Sequence, residues 1–306
     1  MSTMTTAVPG GRLRPHVKAH KCTALARRQA AAGHRTFTCA TIREVEGMAA
    51  AGLGDDLLLA NEVVDARRLG RLAARVTVAV DSTDTITAAV AGGVHEVVID
   101  VNIGLPRCGC RPDDAGRLAD VARSQGLVVR GVMGYEGHVV GLEDRATRVR
   151  LTEEAMQLLL AAHARVGGAL ISAGGTGTYD CNVWASEIQA GSYLLMDTTY
   201  AKLGLPFRQA LSVLATVISV SPGYAVADCG LKSLGMDHGN PAIAAAQVLF
   251  CSDEHVTFVP GQPLKVGDRV RVWPAHIDPT VAYHERMHLV AGDALVDTLQ
   301  VDLRGW

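Results

Sequence analysis

The stretch RVTVAVDSTDTITAAVAGGVHEVVIDV, residues 75–101, reads as strand, helix, strand. Two β-branched runs, 75–80 and 96–101, flank a segment of helical period at 83–91. A strand that returns through a helix is the unit of a parallel sheet. The same rhythm extends in both directions. Toward the N-terminus, strands are expected at 14–18, 36–39 and 56–59, with helices at 23–32, 42–51 and 65–73. Toward the C-terminus, strands are expected at 128–133, 170–173 and 187–189, with helices at 115–124 and 148–165. The last helix sets Leu151, Ala155, Leu158, Leu159 and Ala162 on one face. Eight strands alternating with helices favour an α/β architecture of the (β/α)8 TIM-type barrel over an open doubly wound sheet. After Leu211 the pattern becomes short alternating runs such as LSVLATVISV and RVRVWPAHI, without long helices between them. The expected organisation is therefore a disordered N-terminus at 1–12, a barrel at 13–210 and a C-terminal all-β domain at 211–306.

Bulk properties narrow the function. A formal charge of −2 gives no electrostatic reason to bind nucleic acid or an anionic membrane. No apolar run approaches the roughly 20 residues of a membrane span. The N-terminus lacks the apolar core of a secretory signal. Seven cysteines, an odd number with no CxxC pair, suit a reducing compartment. These features read as a soluble cytoplasmic protein handling a small molecule.

Three segments could carry chemistry. In RPHVKAHKC, residues 14–22, the side chains of His16, Lys18 and His20 alternate along an extended run and so share a face. At the mouth of a barrel such a lysine is desolvated and nucleophilic, as a Schiff-base lysine must be; on an exposed edge it is only a solvated cation. In ISAGGTGTYD, residues 171–180, the GGTGT turn offers close backbone approach and hydroxyl donors at Thr176 and Thr178. It is either a phosphate cradle or an ordinary glycine turn, and it matches neither a Walker loop nor a dinucleotide fingerprint. In WPAHIDPT, residues 273–280, His276 and Asp278 stand two apart. An imidazole and a carboxylate suit a divalent ion, or mark a surface loop. YEGH at 135–138, RCG at 107–109, SDEH at 252–255 and MDHGN at 236–240 are lesser polar clusters.

Taken together and in order, RPHVKAHKC, YEGH, GGTGT, AGSYLLMD (190–197), DCGLKS (228–233), SDEH, PAHIDPT and the closing VDLRGW resemble the D-threonine aldolase and D-serine dehydratase family of pyridoxal-phosphate (PLP) enzymes. The resemblance spans residues 13–306. It implies an alanine racemase-like fold and a homodimer, with a D-amino acid as substrate. By the same resemblance Lys18, rather than Lys21, forms the Schiff base. Gly175, Thr176, Gly177, Thr178, Gly191, Ser192 and Tyr193 hold the cofactor phosphate, and Arg107 and Tyr135 lie at the cofactor. His276 and Asp278 bind Mn2+, Mg2+ or Zn2+. His138 is a candidate base for the substrate hydroxyl.

The carboxylate in the HxD pair points to an aldolase that yields glycine and an aldehyde. The alternative is a D-serine or 3-hydroxyaspartate dehydratase. A racemase would need a second base facing Lys18, and a non-catalytic PLP carrier would lack the β domain and the metal pair. Family members usually place a further strand and helix before the lysine strand. The expectation here is either a misassigned start or a shortened variant, and the second would leave apolar barrel surface uncovered.

Overall fold

The computed structural model of the chain describes residues 1–8 and 11–305. Pro9 and Gly10 of the N-terminal segment, and Trp306 of VDLRGW, lie outside the described residues. Two compact units emerge: Met1–Gly191 together with the residues from Asp302 onward, and Ser192–Val301.

In the first unit, β1 (Thr36–Cys39), β2 (Asp56–Leu59), β3 (Val76–Val80), β4 (Glu96–Asp100), β5 (Val128–Met133), β6 (Leu170–Ala173) and β7 (Glu187–Ile188) pair in chain order. Every pairing is parallel. Residues 13–16 close the sheet. Parallel bridges join Leu13 to Ile188 and His16 to Thr38, so this segment lies between β7 and β1 and completes an eight-membered barrel. It is a pair of bridges rather than a ladder because Pro15 has no N–H to donate; its carbonyl accepts from Thr38 N instead, at 2.9 Å. The expected lysine strand therefore ends at His16. Val17–Ala19 form a 3-10 turn, and Lys21 takes a positive φ of 45°.

The helices are α1 (Ser2–Ala7), α2 (Thr23–Ala31), α3 (Ile42–Ala50), α4 (Thr83–Ala91), α5 (Ala115–Ser124) and α6 (Arg145–Val166). Their starts are written locally. Thr41 accepts from Glu44 N, Ser82 and Thr85 form a capping box, and Asp144 accepts from Thr147 N. The Asp144 cap starts α6 earlier than its apolar period does. Its buried face runs through Arg148, Thr152, Ala155, Leu159 and Ala162, while Leu158 is exposed.

Two further expectations differ from the structure. Residues 65–73 form turns, not a helix. Gly70 packs against the Gly92–Gly93 backbone so closely that a Cβ would meet the Gly92 carbonyl oxygen at 2.1 Å, and only i→i−3 bonds form there. Within residues 1–12, expected to be disordered, α1 is formed and buries Met4.

A charged network fills the N-terminal end of the barrel. Arg130 on β5 chelates Asp56 on β2 with two bonds of 2.8 Å and donates to Thr77 at 2.7 Å. Strands β2 and β5 are not neighbours, so these bonds cross the lumen. Arg14, 1% exposed, reaches Asp56 at 3.2 Å and Glu187 at 2.9 Å. Burial alone would raise the Asp56 carboxyl. The hydrogen bonds and charges of the two guanidiniums outweigh it and hold the pKa at about 2. A depressed carboxyl contributes stability above its unfolded value of about 4 and loses it as pH falls through the folded value. We expect this group to cost about 2 kcal/mol between pH 4 and pH 2. Urea unfolding followed across that window checks it; a flat profile there contradicts the network.

The second unit holds α7 (Thr198–Ala201), β8 (Val213–Ser221), β9 (Tyr224–Ala227), β10 (Ala242–Ile243), β11 (Ala246–Cys251), β12 (Val256–Pro260), β13 (Arg269–Trp273), α8 (Ile277–Tyr283), β14 (Arg286–Ala291) and β15 (Ala294–Gln300). Six strands form an antiparallel sheet in the order β10-β13-β8-β9-β12-β11, and β14 with β15 makes a separate hairpin. Val217, Ala225, Ala227, Val256, Phe258 and Val272 form its core. Among the described residues, no helix is long and apolar enough to cross a membrane.

Candidate active site

Lys18 lies just past the C-terminal end of segment 13–16, at the face where barrel sites are built. It is half-buried, as is His16, whose Nδ1 accepts from Lys18 N at 3.4 Å. The neighbouring basic groups serve the fold. His20 is fully buried; its Nδ1 accepts from Cys22 N at 3.2 Å, so Nε2 carries the proton and donates to Gln29 Oε1 at 3.2 Å. The three side chains therefore do not share one face, because the 3-10 turn breaks the alternation. The Lys21 ammonium pairs with the buried Glu44 carboxylate. Lys21 is thus committed to α3, which leaves the mouth of the barrel to Lys18. Gly191 packs on the same turn: a Cβ there would meet His16 O at 2.5 Å and Ala19 Cβ at 3.1 Å.

The glycine loop is organised by a residue the sequence reading missed. Glu136, fully buried, accepts from Gly174 N at 3.1 Å, from Thr178 Oγ1 at 2.9 Å and from Asn182 Nδ2 at 2.9 Å. Thr178 Oγ1 in turn accepts from Gly175 N at 3.1 Å. Two of the glycines serve the backbone. Gly174 has φ +83°, and a Cβ on Gly177 would meet the Val140 carbonyl oxygen at 1.8 Å. Glu136 sits inside the quoted YEGH motif, but nothing in that tetrapeptide announces that its carboxylate is buried.

The same motif lines the mouth. The Tyr135 ring lies beside Gly175, whose Cβ position is 3.5 Å from Tyr135 Cε2, and the Arg107 guanidinium stands 5.5 Å from the ring centroid. His138 is exposed, with its imidazole against Gly104. Arg107, Tyr135 and Gly175 are therefore adjacent. Around the loop after β4, burial and the neighbouring Glu62 and Asp81 hold the Asp100 carboxyl well above its usual range. A hydrogen bond to Glu62 pushes the Cys108 thiol up to about 11, and burial takes Cys110 to about 12. Neither thiol is a nucleophile near neutral pH.

In the second unit, Ser192 and Tyr193 lie in a 3-10 turn, Ser192–Leu194, with Tyr193 packed on Phe207. His276 is the N-cap residue of α8, and Asp278 is half-buried in its first turn. Buried Asp197 accepts from Ile277 N at 3.2 Å and Tyr200 N at 2.8 Å, tying α8 to α7. The structure brings His276 together with Asp237 and His238 of MDHGN; Asp278 is not in that group. SDEH and DCGLKS are structural: a Cβ on Gly230 would meet Ser252 O at 2.1 Å. Of the VDLRGW segment, residues 302–305 belong to the first unit and Val301 to the second. Asp302 Oδ1 accepts from Thr23 N at 2.9 Å at the start of α2, and Leu303 N donates to Lys21 O at 3.0 Å.

Known proteins share this architecture. The family model described as the alanine racemase N-terminal domain matches residues 1–217, and that described as a putative serine dehydratase domain matches residues 210–290. A D-threonine aldolase of Arthrobacter sp. is 33% identical over 96% of this chain and 86% of its own length. A D-threo-3-hydroxyaspartate dehydratase of Delftia sp. (strain HT23) is 31% identical over 75% of this chain and 67% of its own. The crystal structure of D-threonine aldolase from Filomicrobium marinum superposes with a TM-score of 0.90 at 32% identity, covering 99% of this chain and 90% of that one. The likeness thus runs along nearly the whole length, and the chain belongs to the alanine racemase N-terminal domain family, in the form that continues into a serine dehydratase domain.

Proposed function

We propose that this chain is a PLP- and divalent-metal-dependent lyase that cleaves D-3-hydroxy amino acids to glycine and an aldehyde. The observation that carries the reading is the pairing of Lys18, at the barrel mouth, with a glycine loop locked by Glu136. The residues present fit the cofactor. A half-buried lysine follows the closing segment at the mouth end, a glycine and threonine loop of the kind that receives a phosphate follows β6, and the Tyr135 ring lies beside that loop. Bound PLP supplies an electron sink for the bond broken at the substrate's α-carbon. Lys18 would anchor it covalently, residues 175–178 and Gly191 would receive its phosphate, as the family resemblance also implies for Ser192 and Tyr193, and Arg107 and Tyr135 would contribute to holding it. His138, exposed on the loop after β5, is the base that takes the proton of the substrate β-hydroxyl. His276 and Asp278 have the donor types for a divalent ion, whose role is to make that hydroxyl more acidic.

The Delftia relative, a dehydratase, supports a second reading: ammonia loss with the same parts. We further propose a cytoplasmic homodimer. The substrate test is D-threonine consumption by protein supplied with PLP and Mn2+. Consumption of D-threonine but not L-threonine, lost on chelation and restored by Mn2+, is expected. Equal use of both enantiomers, or none of either, sinks the proposal.

Glu136→Gln tests the loop. Gln turns one acceptor oxygen into a donor where three donors converge, leaving at least one buried group unsatisfied at a cost of about 1–3 kcal/mol. We expect affinity for PLP to fall roughly tenfold (about 1.4 kcal/mol) while affinity for pyridoxal, which lacks the phosphate, changes little. Equal losses for both ligands would show that the loop does not serve the phosphate.

A further inference from the structure

The loop after β4 carries Arg107 and is closed at its base. Val101 and Cys110 form a parallel bridge. Cys110 N donates to Asp100 O at 2.9 Å, and Asn102 N donates to Cys110 O at 2.9 Å. Gly109 makes this return possible: its φ is +102°, and a Cβ there would meet Asn102 N at 2.5 Å. Its N–H donates to Asp81 Oδ2, just past β3, at 3.1 Å. Glu62, just past β2, is a further support. Its side chain bonds both to Asp100, at the base of the loop, and to the Cys108 thiol, next to Arg107.

Asp100 is 6% exposed, and Glu62 Oε1 is a buried atom that no conventional donor reaches among the described residues. Two carboxylates in bonding reach would repel each other and leave that oxygen unmet. One proton between them removes both penalties. Asp100 is the better placed to carry it, being the more buried, while Glu62 already accepts from Cys108. The groups that face Asp100 are Glu62, Asp81, Arg107, Cys108 and Cys110. Burial is the largest influence and favours the proton on Asp100; Glu62 and Asp81 act the same way, and Arg107 opposes them.

We propose that Asp100 and Glu62 share one proton, and that this acid–carboxylate pair is the strut that holds the Arg107 loop at the barrel mouth. Both are positioning residues. The proposal rests on the reading above only for what Arg107 binds.

Infrared spectroscopy of the cofactor-free chain tests the proton. At pH 6 ordinary carboxyls are ionised. The carbonyl band of a protonated carboxylic acid is expected in wild type and is expected to vanish in Asp100→Asn. No band in wild type, or an undiminished band in the variant, overturns the proposal. Urea unfolding gives the pH signature. A carboxyl held protonated by the fold contributes stability below its unfolded value of about 4, and loses it as pH rises toward the folded value. The unfolding constant of wild type divided by that of Asp100→Asn is therefore expected to rise about tenfold from pH 5 to pH 6. A rise of less than threefold overturns it.

Hydrogen exchange over residues 101–110 tests the strut. Glu62→Ala is expected to speed exchange at least tenfold, and Glu62→Gln, which can still bond both neighbours, to stay within threefold of wild type. Equal exchange in Glu62→Ala and wild type overturns the proposal. With PLP present, Glu62→Ala is expected to bind it at least tenfold more weakly. The first three readouts need no cofactor, so the two readings fail separately. A chain that passes them and binds no PLP would sink the lyase and leave the pair, and PLP binding without the infrared band would do the reverse.

Discussion

Lys18→Ala will purify without the visible absorbance of lysine-bound PLP, and kcat/KM for D-threonine will fall by about three orders of magnitude or more. Two lysines lie within three residues of each other, and the fold assigns them different work. Lys21 adopts a positive φ and gives its ammonium to buried Glu44, which also accepts from Ala40 N at 2.6 Å. Lys18 sits on the turn that Gly191 packs against, at the mouth end of the closing segment. Lys21→Ala is the informative companion. It leaves a buried carboxylate without its cation and should destabilise the protein, yet the protein that remains folded should keep the visible band. Loss of the band in Lys21→Ala, with retention in Lys18→Ala, would reverse the assignment.

Asp56→Ala carries the largest expected loss of stability, about 3–5 kcal/mol. The substitution removes the carboxylate that two buried guanidiniums share. Arg14 keeps Glu187, and Arg130 keeps Thr77 with Glu96 at 3.5 Å, but the bidentate pair across the lumen is gone. Burying two cations costs several kcal/mol, and that cost is no longer offset. Equilibrium denaturation of the purified variant checks this. A loss below about 1 kcal/mol would mean that water replaces the carboxylate without penalty, and that the barrel is not held together by its charged end.

Much of the barrel was legible because its strands are short, apolar and regularly spaced. Leu57–Leu59, Val78–Val80 and Val97–Ile99 are buried, as strands covered on both faces must be. Misreadings occurred where tertiary contact overrode local pattern. Residues 65–73 have helical composition, but the packing of Gly70 against Gly92 and Gly93 replaces the helix with turns. Alternation along His16, Lys18 and His20 suggested one face; Pro15 and the following 3-10 turn send His20 into contact with Gln29.

The candidate site divides the same way. Lysine, glycine loop and HxD segment were visible as residue types at a spacing. Glu136 was not, because a carboxylate in a loop reads as solvated until three donors converge on it. Asp237 and His238 stood out only as a polar cluster, since the bridge from Gly235 to His276 spans a sequence separation that no local pattern reports.

The central claim is the bond that breaks, and product analysis tests it directly. With PLP, Mn2+ and D-threonine, the account predicts glycine and acetaldehyde in equal amounts, formed at the rate of substrate loss. Ammonia and 2-oxobutanoate in their place would contradict it and make the protein a dehydratase.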